Sequence, residues 1–115
     1  MSAARRQKVA DQIQRELSGI VQRELRDPRI GMVTFTGVEV SPDFSHAKVF
    51  FTLLDKDRLE HTLDGLRRAA GFLRTRLAGA IKLYATPELH FFYDESVERG
   101  DRLSRLIDSV AGHRE

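Results

Sequence analysis

At 115 residues, with 41% hydrophobic and 31% charged side chains, the chain has the size and mixture of a single globular domain over residues 1–115, not of a disordered segment. It contains no cysteine, which excludes disulfides and thiolate zinc sites. No apolar run approaches a membrane span and the N-terminus MSAARRQKVADQ has no apolar export core, so a cytoplasmic location is expected.

The net charge is only +2, but it is unevenly spread. Over residues 1–26, Arg5, Arg6, Lys8, Arg15, Arg23 and Arg26 outnumber Asp11, Glu16 and Glu24, whereas residues 94–115 are predominantly acidic. A polarised basic surface follows. Val9, Ile13, Leu17, Ile20, Val21 and Leu25 form an apolar stripe that predicts an amphipathic helix from about Ala4 to Arg26, stopped by Asp27-Pro28. Arg5, Arg6 and Lys8 fall at its positive end, where the helix dipole disfavours cations; an anionic partner would relieve that cost.

Gly31 to Val40 reads as a strand whose phase slips. Val33 and Phe35 share one parity and Val38 and Val40 the other, so a β-bulge at Thr36-Gly37 is needed to keep all four on one face. Ser41-Pro42-Asp43-Phe44-Ser45 supplies turn chemistry, and Ala47, Val49, Phe51 and Leu53 then alternate with His46, Lys48, Phe50 and Thr52. So short a connection makes the two strands an antiparallel hairpin.

Asp55-Lys56-Asp57 opens a long helix, with Asp57 as N-cap and Glu60 completing a loose capping box. Leu59, Leu63, Leu66, Ala70, Leu73, Leu77, Ile81 and Tyr84 form its apolar stripe. Within it Arg67 to Pro87 holds Arg67, Arg68, Arg74, Arg76 and Lys82 and no acid. On an ideal helix Arg68 and Lys82 face away from the stripe, Arg76 lies to one side, and Arg67 and Arg74 flank it. This cationic front suits phosphate. Gly65, Gly71 and Gly79 each cost about 1 kcal/mol in a helix interior, and Ala69-Ala70-Gly71 is the natural place for a kink. The small residues have two readings: close packing against a sheet, or a bent helix offered to nucleic acid.

Thr86-Pro87 ends the exit loop, and Glu88 to Asp94 reads as a third strand, with Leu89, Phe91 and Tyr93 opposite His90 and Phe92. The intervening helix frees this strand from antiparallel pairing, so a mixed sheet is expected. Leu103, Leu106, Ile107 and Val110 mark a closing helix over about Val97 to Ala111, capped by Ser96. The order is α-β-β-α(kinked)-β-α, an α+β fold on a three-stranded mixed sheet.

No enzyme is assembled by these residues. His46, His61, His90 and His113 lack helical metal-site spacing, and there is no phosphate-cradling glycine loop or nucleophile elbow. No metal, cofactor or catalytic residue is expected. Phe50 and Phe92 break the polar parity of their strands, so either helices cover both sheet faces or an aromatic patch is left for docking.

The run Arg26-Asp27-Pro28-Arg29-Ile30-Gly31-Met32, then Gly37-Val38-Glu39-Val40-Ser41 and Ala47-Lys48-Val49, and finally Pro87-Glu88-Leu89-His90-Phe91-Phe92-Tyr93-Asp94 with Gly100, resembles the bacterial ribosome-binding factor A family. The likeness runs from about Gln7 to His113. It implies a type II KH-like fold and a monomeric, non-catalytic RNA-binding factor. Such factors bind free small ribosomal subunits, assist late maturation of the 5′ end of the small-subunit RNA, and matter most in the cold. KH domains in general grip single strands with a G-x-x-G loop. Ala69-Ala70-Gly71 stands in its place here, matching the A-x-G kink by which this family departs from other KH proteins, with Ala69 and Gly71 as the kink residues. The resemblance therefore implies docking on folded ribosomal RNA through backbone phosphates, near the neck and decoding region. The resemblance maps the basic surface to Arg67, Arg68, Arg74, Arg76 and Lys82, and further to the N-terminal Arg5, Arg6 and Lys8. Two other functions stand against this one: a protein-interaction module using Phe50 and Phe92, and a small hydrolase acting on RNA.

Overall fold

The structure, a computed structural model, describes residues 3–25, 30, 33–83 and 85–96. Helix α1 (Ala3–Glu24) is followed by strands β1 (Val33–Val40) and β2 (His46–Leu53), a 3₁₀ turn (Lys56–Arg58), helix α2 (Leu59–Ala80) and strand β3 (Glu88–Tyr93). The sheet order is β1-β2-β3, with β1 antiparallel and β3 parallel to the central β2. This is the type II KH-like α+β arrangement through its last strand. The expected closing helix beyond Ser96 and the Asp27-Pro28 stop lie outside the described residues, as does Tyr84; Ser96, expected as the cap, is already helical and its N–H donates to Asp94 Oδ1 at 2.9 Å.

The bulge falls where the parity change requires it. Phe35 pairs with Phe51 and Gly37 with Phe50, so Thr36 is the extra residue. Its insertion turns Phe35, Val38 and Val40 to the same face as Phe51, Val49 and Ala47, and all six are buried. The bulge also leaves the Phe35 carbonyl to a side chain: Gln14 Nε2 of α1 donates to it at 2.9 Å. Thr36 Oγ1 donates to Asp94 Oδ2 at 2.6 Å, tying β1 to the far end of β3.

Both helices cover that one face. Ile13, Leu17 and Ile20 of α1 and Leu66, Leu73 and Leu77 of α2 join the sheet residues in one cluster, with α1 mainly over β1 and α2 over β3. Burying each such leucine or isoleucine contributes about 1.5–3 kcal/mol. On the other face Phe50 and Phe92 sit with ring centroids 5.9 Å apart, and Phe92 remains 44% exposed.

Two expectations about α2 need correction. Asp57 is not its cap. The Asp55 carboxylate accepts from the Asp57 N–H at 3.0 Å, so the chain enters through the 3₁₀ turn and α2 starts at Leu59 without a side-chain cap. Nor does the helix reach Lys82. Ile81 is extended (φ −123°, ψ 129°), yet it is still buried at 4% exposure, so the apolar spacing continues after the helix has stopped. The helical assignment runs unbroken through Ala69, Ala70 and Gly71. Thr75 Oγ1 donates back to the Gly71 carbonyl at 3.0 Å, a bond of the type that bends helices.

Candidate nucleic-acid interface

The four arginines of α2 are all exposed, but they do not point one way. Arg74 leans towards the approach to β3, where its Nε and Nη2 donate to the Thr86 carbonyl at 3.1 and 2.8 Å. Arg76 leans towards α1, pairs with Glu24, and holds its guanidinium carbon 5.8 Å from the centre of the Phe72 ring. Arg68 Nε lies 3.2 Å from Asp64 Oδ2, one turn earlier on the same helix. Arg67 has no polar partner among the described residues.

The acid-free run is thus not acid-free in space. Asp64 answers Arg68 from within α2, and Glu24 answers Arg76 from α1. The Arg68–Asp64 pair is more than half exposed and contributes about 0–1 kcal/mol, so it competes only weakly with another anion; in the Arg76–Glu24 pair the carboxylate is 26% exposed. Arg74 bonds a neutral carbonyl and keeps its charge uncompensated, as Arg67 does.

Lys82 leaves the helix and enters a cleft with Arg5, Val9, Asp43, Phe44, Leu83 and Ala85. The start of α1 and the exit of α2 therefore share two cations, although they are far apart in the chain. Asp43 opposes them. Hydrogen bonds from the Ser45 and Ser41 hydroxyls and the Ser45 N–H hold its carboxyl well below the usual carboxylate range. Those contacts also hold the turn in which Phe44 takes a positive φ of 61°. Arg6 diverges from Arg5 into a separate cleft beside Gln7, Val38, Glu39 and Pro42, and Lys8 is exposed on α1. Arg5 and Lys82 thus share one cleft, and Arg6 lines another.

Two features escaped the sequence reading. Arg23 joins Arg76, Glu16, Glu24, Thr75 and Gly79 in a cleft between the helices; the signal was its place in the basic N-terminal set, but only the helix crossing puts it beside Arg76. The second is on the sheet, where His46, Glu88 and His90 come together. The small residues of α2 divide between the two readings: Gly65 is buried and Ala69 and Ala70 pack against the core, whereas Gly71 and Gly79 are exposed. A Cβ at Gly71 or Gly79 would meet nothing within 4 Å, so neither is there to admit a neighbouring element.

Residues 5–107 match the family model described as ribosome-binding factor A. The chain belongs to the ribosome-binding factor A family. Ribosome-binding factor A of Nitrosomonas europaea is 58% identical over 106 residues, which is 91% of each chain. The crystal structure of ribosome-binding factor A from Thermus thermophilus has a TM-score of 0.70 at 28% identity, covering 76% of this chain and 93% of that one. Coordinates of the Thermus thermophilus factor, a homology model fitted into a cryo-electron microscopy map of a 30S complex, give a TM-score of 0.65 at 29% identity over 75% of this chain and 91% of that one.

Proposed function

We propose that this chain is a monomeric, cytoplasmic assembly factor that binds free small ribosomal subunits through their RNA. In this role it assists late maturation, including that of the RNA 5′ end, without catalysing a reaction itself, and it matters most in the cold. The observation that carries the proposal is the family match over residues 5–107, supported by the relative fitted into a 30S complex.

The chemistry fits contact with backbone phosphate. Arg67 and Arg74 offer uncompensated guanidinium groups, Arg68 is held by an exposed pair and Arg76 by a partly exposed one, and a phosphate can replace either acid. Arg5 and Lys82 extend the basic surface at one end, with Lys8 and Arg6 on the adjoining turns of α1. Gly71 is exposed in mid-helix at a cost of about 1 kcal/mol, with no internal neighbour to explain it. We assign it, with Ala69, to a bend and a bare stretch of backbone that the sugar-phosphate chain can approach closely.

Equilibrium binding to purified free small subunits and to assembled ribosomes, across a salt series, tests the proposal. It requires preference for the free subunit and a log affinity that falls linearly with log salt. Affinity indifferent to salt, or equal for the two particles, contradicts it. The Phe50–Phe92 pair, in which Phe92 is exposed and Phe50 half-buried, favours a second reading, a protein-docking sheet face. Under that reading binding survives moderate salt and fails in Phe50→Ser.

A further inference from the structure

The absence of metal-site spacing in the sequence concerns helices, and a parallel strand pair can meet the requirement differently. His46 opens β2 and lies in register with Glu88, the first residue of β3, while His90 lies two residues further along β3 on the same outward face. The diagonal brings His46 Nδ1 to 3.0 Å from His90 Nε2, with ring centroids 5.2 Å apart. His46 Nδ1 is also 3.8 Å from Glu88 Oε2, and donor atoms of all three side chains lie within 4.8 Å of one another.

We propose that His46, His90 and Glu88 form a surface site for a borderline divalent transition-metal ion such as Zn²⁺, with water completing the coordination. Two imidazole nitrogens on a tetrahedral Zn²⁺ are about 3.3 Å apart, so the observed pair needs to open by only a few tenths of an ångström. With no ion, one ring nitrogen must donate its proton to the other; with an ion, both lone pairs turn to the metal. Imidazole and carboxylate donors suit Zn²⁺, whereas Mg²⁺ and Ca²⁺ call for all-oxygen sets.

The frame is held before any ion arrives. The His46 N–H donates to Ser41 Oγ at 3.0 Å, its carbonyl accepts from the Ser41 N–H at 2.9 Å, and the Glu88 N–H donates to the Ser45 carbonyl at 2.9 Å. Both strand starts are thereby anchored to one turn, and the ligands sit on sheet backbone. Lys48, in register with His90, is a cation on this face that lowers affinity. A bound ion would clip β2 to β3 and stabilise the folded chain by linkage.

Isothermal titration of tag-free, full-length protein with Zn²⁺ tests the site, with melting temperature as the second readout. The expected result is saturable binding of one ion per chain and a higher melting temperature with Zn²⁺. His46→Gln and His90→Gln should each weaken binding by at least about tenfold and abolish the temperature shift. His61→Gln, an exposed change on α2, should bind as the parent does. His46 is itself half exposed, so its replacement leaves the core untouched and remains informative if His90→Gln folds poorly. Non-saturable uptake by the parent, undiminished binding in His46→Gln, or equal loss in His61→Gln would each overturn the proposal.

Discussion

Arg76 of α2 is paired with Glu24 in the last turn of α1. One ion pair thus joins the two helices beside the basic surface, and it occupies a guanidinium that the sequence alone presents as free. An incoming phosphate must displace the Glu24 carboxylate to use Arg76. The acid then becomes an internal competitor that tempers binding.

Glu24→Gln should consequently raise affinity for the free small subunit. If Arg76 then meets a phosphate, the slope of log affinity against log salt should steepen by roughly 0.7–0.9, the value for one further neutralised phosphate. The fold should lose about 1 kcal/mol, the worth of a partly exposed pair. Filter binding over a salt series and a urea titration supply both numbers. Weaker binding with unchanged stability would mean that Glu24 positions Arg76 and does not compete for it.

Gly71 separates stability from function. Gly71→Ala should stabilise the chain by up to about 1 kcal/mol, because Ala is the better helix former and the added methyl group meets open space. Subunit affinity should fall, since the methyl occupies the surface assigned to close RNA approach. Thermal unfolding and co-sedimentation measured on one preparation decide it. Greater stability with undiminished binding would remove Gly71 from the interface.

The Thr36–Asp94 hydrogen bond carries a pH prediction. The Ser96 hydroxyl and then Thr36 hold the Asp94 carboxyl below its ordinary value. A depressed folded-state pKa adds stability above the unfolded value, near 3.9, and that stability is lost as pH falls through the folded-state pKa. Thr36→Val should therefore cost about 1 kcal/mol or less at pH 7, given the partial exposure of the pair. The gap from the parent should begin to narrow below about pH 4 and close as pH falls through the depressed folded-state pKa of Asp94. Urea titrations from pH 7 down to the lowest pH at which the parent stays folded measure this; a deficit that never narrows would assign the loss to packing. Asp43, depressed in the same sense, adds to the acid lability of the parent.

The sheet was the most legible part. A change of parity between Phe35 and Val38 admits only a bulge or a misplaced side chain, so the position of Thr36 followed from the period of a strand. The end of α2 was not legible. Ile81 remains buried at the spacing a helix would give, and burial pattern alone cannot distinguish a continued helix from a chain that turns back onto the core. Lys82 was misplaced for that reason, and its meeting with Arg5 depends on where the helix stops. Pairings such as Glu24 with Arg76, or His46 with His90, arise from helix crossing and strand register, which a one-dimensional pattern does not contain.

In the proposed function, cations of α2 grip ribosomal RNA. Co-sedimentation of the Arg68→Glu/Arg74→Glu/Arg76→Glu triple variant with free small subunits tests it most directly, with far-UV circular dichroism and a melting curve run in parallel. Retained fold with loss of co-sedimentation is the predicted result. Co-sedimentation at the parent level by a folded triple variant would contradict the account.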